Sequence, residues 1–186
     1  MKRKQTVTIG IPAYNEEANI YRLLTCLIHQ SKKGIEIQKI IVVNDGSRDD
    51  TAREIRRVHD KRILLVNNGS RKGQIFCQNV IFSRANSNIV VLLEADTLPT
   101  SLNYIRSLVD PIINNRMIGL VQGNIVYAQP KTLIGRVIHE QDTIYRRVIK
   151  RERKLIGIFT SGRGGRAFSR RVYIKLRWPP HVPEDT

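Results

Sequence analysis

The sequence predicts an α/β protein, a mostly parallel sheet covered by helices on both faces. Three observations predict it. Short β-branched or apolar runs alternate along the chain with segments of helical periodicity. Two of the runs, KIIVV and IVVLL, are apolar at every position, as strands buried on both faces are. The runs end in polar, acidic or turn-forming residues, which in a parallel sheet would all face one edge.

The elements follow in order. Residues 6–11 form a β-branched strand ended by Pro12. Residues 19–30 place Ile20, Leu23, Leu24, Leu27 and Ile28 at helical spacing. Residues 39–43 are the second strand. Residues 49–59 are helical, with Asp49 and Asp50 where the helix dipole favours negative charge. A third strand at 63–66 precedes an amphipathic stretch at 73–84, and a fourth strand at 89–93 precedes a helix from 101 to the Asp110–Pro111 step. Residues 119–127 read as a strand and 133–154 as a long basic helix.

A length of 186 residues fits one domain with a sizeable core, and 41% hydrophobic with 26% charged residues excludes a disordered chain. The first 125 residues or so look like a nucleotide-binding layer. Residues 126–186 are a basic second half, with twelve Lys or Arg against Glu152 over 146–177. A net charge of +16 implies an anionic partner: a phosphorylated small molecule, an anionic membrane surface or nucleic acid. Cys26 and Cys77 sit in apolar stretches and read as buried thiols. No apolar run reaches the roughly 20 residues of a membrane span, and the basic start lacks the apolar core of a signal peptide.

The strand ends carry the chemistry. After the first come Pro12, Ala13, Tyr14, Asn15, Glu16 and Glu17; after the second, Asn44, Asp45, Gly46 and Ser47; after the third, residues 67–73; after the fourth, Glu94, Ala95 and Asp96. Glu94 and Asp96, two apart on an extended segment, would point the same way and could hold a hard divalent ion against substrate phosphates. Asp45 reads either as an Asx-type turn before a helix or as a carboxylate accepting hydrogen bonds from a base or ribose. Arg71 and Lys72 beside Gly73 read either as an exposed basic turn or as a phosphate cradle aided by the following helix start.

The segments IPAYNEEANI, IIVVNDGSRDDTA, Gly73 to Asn79, VVLLEADTLP and VPEDT occur here in the order found in family 2 glycosyltransferases. The chain resembles the catalytic domain of that inverting family, most of all its processive polysaccharide synthases. The resemblance implies a single GT-A (Rossmann-like) catalytic domain over 1–186. It implies transfer of a sugar from a nucleotide-diphosphate donor, with UDP expected, to a saccharide or lipid-linked acceptor. It places Pro12, Tyr14 and Glu16 against the nucleotide, Asp45 on the base, and Asp96 on Mg2+ or Mn2+ with the donor diphosphate. It makes Asp185 the general base, with Glu184 and Gly162 on the acceptor side. Glu94 stands where the family usually has Asp, and Gly73-Gln74 where it often has Gly-Lys. The basic second half then suits an anionic membrane surface, and the expected place is the cytoplasmic face of a membrane. The alternatives are a degenerate domain that binds the donor without turnover, a sugar nucleotidyltransferase and a basic nucleic-acid-binding protein. The acidic PAYNEE segment disfavours the second, and the absence of a nucleic-acid motif disfavours the third.

Overall fold

The computed structural model describes residues 4–124, 132, 136–137, 140 and 164–179. The strands are β1 (Gln5–Ala13), β2 (Ile35–Asn44), β3 (Ile63–Asn67), β4 (Ile89–Leu92), β5 (Leu120–Gln122) and β6 (Arg166–Ser169). The helices are α1 (Ile20–Ile28), α2 (Thr51–Arg56), α3 (Gln74–Arg84), α4 (Tyr104–Asn114) and α5 (Arg170–Tyr173). The strands join in one sheet of order β3-β2-β1-β4-β6-β5. The pairs β2–β1, β1–β4 and β2–β3 are parallel, and β6 runs antiparallel between β4 and β5. The carboxyl ends of β1 to β4 therefore share one edge.

Both faces are covered, as apolar strands demand. On one face Val7, Ile9, Ile11, Ile40, Val42 and Val91 pack with Leu23, Leu24 and Leu27 of α1 and with Ile105, Leu108 and Val109 of α4. On the other, Ile41, Val43, Val90, Leu92 and Phe168 meet Cys77, Ile81 and Phe82 of α3 and Tyr173 of α5. An irregularity in the β1–β2 register, opposite Gln38, lets Ile37 and Ile40 face the same layer despite their odd spacing. Gly10 admits α3 closely, because a Cβ there would come within 2.3 Å of Ile81 Cγ2.

Four elements differ from the sequence expectation. The first strand runs on through Pro12 to Ala13, and α2 covers only the middle of the stretch predicted for it. α4 continues past Pro111. The proline falls in the last turn, where its missing N–H costs one bond, while Ile112 and Ile113 beyond it pack on the core. The strand β6 was not anticipated at all. It lies in the basic second half of the sequence, yet it completes the sheet beside β4.

Contacts divide the chain into one unit of 1–123 with 164–186 and a second of 124–163. The predicted basic helix 133–154 lies outside the described residues except at 136–137 and 140. Among the described residues no helix is long and apolar enough to cross a membrane. Cys77 is buried, as the sequence predicts, whereas Cys26 is only half-buried.

Candidate functional site

The loop after β1 and the turn after β2 are zipped together by side chain to backbone bonds. Asn15 N–H donates to Ser47 Oγ (2.9 Å), and Arg48 N–H donates back to Asn15 Oδ1 (2.9 Å). Glu16 N–H donates to Thr51 Oγ1 (2.7 Å), and Asp50 N–H to Glu17 Oε2 (2.9 Å). Asn15 has φ +55°, a left-handed conformation that Asn tolerates better than most residues. Short polar side chains are the usual partners of turn backbone, so this motif specifies its own shape.

A second zipper joins the turn after β2 to the loop after β3. Asp45 is buried, and its carboxylate accepts hydrogen bonds from Asn68 Nδ2 (2.8 Å), Lys72 N–H (2.9 Å) and Gly73 N–H (2.8 Å). Its carboxylate thus organises residues 68–73, a role that neither sequence reading of Asp45 described. Gly46, at φ +70°, presses against that loop so closely that a Cβ would lie 2.6 Å from the backbone of Ser70 and Arg71.

Between the two zippers opens a cleft of about 510 Å3, lined by Tyr14, Asn44, Ser47, Asn67, Ser70 and Arg71 among others. The Arg71 guanidinium lies over the Tyr14 ring, 4.3 Å from its centroid. Pro12 is half-buried at the end of β1, and Lys72 is exposed just before Gly73, where α3 starts. Tyr14 and Arg71 are thus brought to one cleft.

Glu94 and Asp96 are a correction. Thr97 N–H donates to the Glu94 carbonyl (3.2 Å), so residues 94–97 form a turn and not an extended segment. Asp96 is exposed and its charge acts on Glu16, whereas Glu94 is half-buried and acts on Tyr104 and Arg166. Burial raises the Glu16 pKa; the bond from Asn19 opposes this, and the Asp96 and Asp49 charges add to it. Burial also raises the Tyr104 hydroxyl, against the Gly165 N–H bond and with help from Glu94. Burial lowers Arg166, and Glu94 partly restores it. Among the described residues no three His, Cys, Asp or Glu side chains form a metal cluster.

Tyr104 and Arg166 escaped the sequence reading, and Asn15 and Asn68 were given no role of their own in it. Asn15 and Asn68 lie in loops already singled out, and the preference of Asn for turns was the signal available. Arg166 had none, because its role depends on β6 pairing with β4. Gly162, Glu184 and Asp185 lie outside the described residues.

A mostly parallel sheet with helices on both faces and an open polar cleft at its carboxyl edge is an α/β fold of the GT-A type. The family assignment is firmer still: the chain matches the model "Glycosyl transferase family 2" over residues 8–177, and it belongs to that family. It is 24% identical over 144 residues to the Escherichia coli UDP-Glc:alpha-D-GlcNAc-diphosphoundecaprenol beta-1,3-glucosyltransferase WfgD, covering 77% of this chain and 55% of that protein. The fold is similar to a Pyrobaculum calidifontis mannosyltransferase in complex with GDP-Man and Mn2+ (TM-score 0.73, 22% identity, 97% of this chain and 49% of that one). It is also similar to Mycobacterium tuberculosis glucosyl-3-phosphoglycerate synthase in complex with Mn2+, UDP and phosphoglyceric acid (TM-score 0.64, 20% identity, 90% and 56%). The chain spans about half the length of these proteins.

Proposed function

We propose that this domain transfers a sugar from a nucleoside-diphosphate donor, UDP by family expectation, to a hydroxyl of a saccharide or lipid-linked acceptor, inverting the anomeric carbon. The observation that carries this reading is the cleft at the carboxyl edge of the sheet, walled by Tyr14 and Arg71, with the exposed carboxylate of Asp96 on the same edge. An aromatic face and a planar cation are suitable walls for a nucleobase. The WfgD relative is named for a UDP-sugar donor and a diphosphoundecaprenol-linked acceptor, in keeping with this reading.

The donor set fits a divalent ion, Mg2+ or Mn2+. Asp96 is a hard oxygen ligand, and the repulsion it exerts on Glu16 is what a bound cation relieves. Such ions take one or two protein carboxylates and complete their shell with substrate phosphates and water, so three clustered protein ligands are not required. Bound at Asp96, the ion would neutralise charge on the departing nucleoside diphosphate.

The remaining work falls to the chain itself. Asp45 holds the loop that brings Arg71 to the cleft. Asp185 removes the acceptor proton as its hydroxyl attacks, and Glu184 and Gly162 line the acceptor side. The basic residues of 146–177 attract anionic headgroups at the inner face of a membrane, worth about 1 kcal/mol per residue near such a surface.

The test is thermal unfolding in the presence of UDP- and GDP-sugars, with and without Mn2+. Donor at about 100 Kd stabilises by about 2.7 kcal/mol. A Mn2+-dependent rise with one donor series supports the reading, and no rise with any overturns it.

A further inference from the structure

Charge on this sheet is sorted by edge. The carboxyl edge holds the acids Glu16, Asp45, Glu94 and Asp96. At the other edge, four segments meet at the amino ends of β1, β4 and β5 and the carboxyl end of β6. Thr6 Oγ1 donates to Asn88 Oδ1 (2.8 Å), Arg170 N–H donates to the Asn88 carbonyl (2.8 Å), and Ser169 N–H donates to the Gly119 carbonyl (2.9 Å). Residues 4–8, 84–88, 115–119 and 169–177, which these bonds join, hold seven Lys or Arg and no Asp or Glu. An ordinary solvated face mixes both signs, as α2 and its cap do by pairing Arg53 with Asp50 and Arg57 with Glu54.

The packing leaves these cations outward. Tyr173 is buried, donates its hydroxyl to the Ser87 carbonyl (2.6 Å) and stacks on Phe82, so it pins α5 to the sheet. Arg170, Arg171, Ile174 and Lys175 stay exposed around it, the last two one turn on from the first two. The Arg171 guanidinium donates to the Met117 carbonyl, which brings the exposed Arg116 and Met117 to the same corner. Met117 is 81% exposed and Ile174 49%. Among the described residues none of the four cations at this corner forms an ion pair with an acid.

We propose that this corner of the amino edge docks on an anionic lipid bilayer, with Met117 and Ile174 entering the headgroup layer among Arg116, Arg170, Arg171 and Lys175. It rests on the membrane association in the proposed function and gives that association one face, made of described residues. The complementarity is twofold. Cations without an acidic partner gain from a surface of phosphates, and apolar side chains set among them gain from the acyl boundary, which a nucleic acid does not offer. Long basic side chains keep their heads at the phosphates while their stems lie along apolar surface. The donor cleft lies at the opposite edge of the sheet and stays open to nucleotide sugars from solution.

The test is co-sedimentation of the full chain with vesicles of phosphatidylcholine, alone or mixed with phosphatidylglycerol, at about 0.15 M salt. The native protein should bind the anionic vesicles only. Arg116→Gln, Arg171→Gln and Lys175→Gln together should weaken binding on the order of 100-fold, at roughly fivefold per cation. Arg22→Gln, Arg56→Gln and Arg57→Gln together remove equal charge from exposed positions on α1 and at the end of α2. That change should cost less than about threefold, since charges off the contact are screened over about 8 Å. Met117→Asp, at a side chain outside the core, should weaken binding about 10-fold without lowering thermal stability. Equal losses in the two triple variants overturn the assignment to this face, as does native binding in Met117→Asp. No binding by the native protein overturns the docking altogether. Tighter binding to a DNA duplex than to vesicles, lost in the first triple variant, assigns the face to nucleic acid and overturns the lipid. Failure to bind any nucleotide sugar overturns the transferase reading instead and leaves the vesicle results standing.

Discussion

Two rims meet at the carboxyl edge of the sheet, and they are built differently. The first, at the ends of β1, β2 and β3, is laced by side chain to backbone hydrogen bonds among three turn motifs. The second, at the end of β4 and the start of β6, is a knot of half-buried charge and hydroxyl: Glu94, Tyr104, Gly165 and Arg166. The first rim draws its precision from many short polar bonds between segments rich in Asn, Asp and Ser. The second draws it from burial, which makes each charge depend on its neighbour. Loss of one bond in the first rim should loosen a whole loop, whereas loss of one charge in the second should retune its neighbours.

The largest test of that contrast is Asp45→Ala. Three donors lose their acceptor at once, and stability should fall by about 3 kcal/mol in denaturant titration. Binding at the cleft should weaken in parallel, because Arg71 is released with its loop. A loss below about 1 kcal/mol would mean that water replaces the carboxylate, and the zipper would not govern the loop.

A smaller effect is expected at the second rim. Glu94→Gln should bring the Tyr104 hydroxyl back toward its ordinary pKa, measured by tyrosinate absorbance. The return is partial, since burial is the larger cause of the shift. An unmoved titration would dissolve the coupling that distinguishes this rim.

The smallest effect bridges the rims. Glu16 in the fold holds its proton more tightly than in the unfolded chain. Metal-free stability should therefore decline as pH rises through its titration, from the ordinary carboxylate range upward. Asp96→Asn should reduce that decline, since the Asp96 charge is one of the causes of the shift. Equal slopes in the two proteins, from denaturant curves across pH, would separate Asp96 from the first rim.

The two rims also differ in how far the sequence discloses them. The motifs PAYNEE, NDGSRDDT and NNGSRKG carry their turn chemistry locally, and Tyr14 and Arg71, from two of them, both line the cleft. The direction of the Asp45 carboxylate was not legible. Its partners, Asn68, Lys72 and Gly73, lie 23 to 28 residues away. The extended segment expected at Glu94 to Asp96 was misread because periodicity predicts an extended chain beyond IVVLL, while the chain turns at Glu94. Arg166 and the hydrogen bonds between the Asn79 side chain and the Trp178 backbone were out of reach for the same reason at longer range.

The sequence by itself determined the period of each strand and helix, the apolar layers on both faces and the polar loops that gather at one edge, because these follow from side-chain spacing and turn propensity over a few residues. Only the tertiary structure decided that β6 returns to pair with β4, that Asp45 turns inward and that Glu94 and Asp96 serve different neighbours. Those outcomes depend on which donors, acceptors and charges become buried together, and burial is set by segments far apart in the chain.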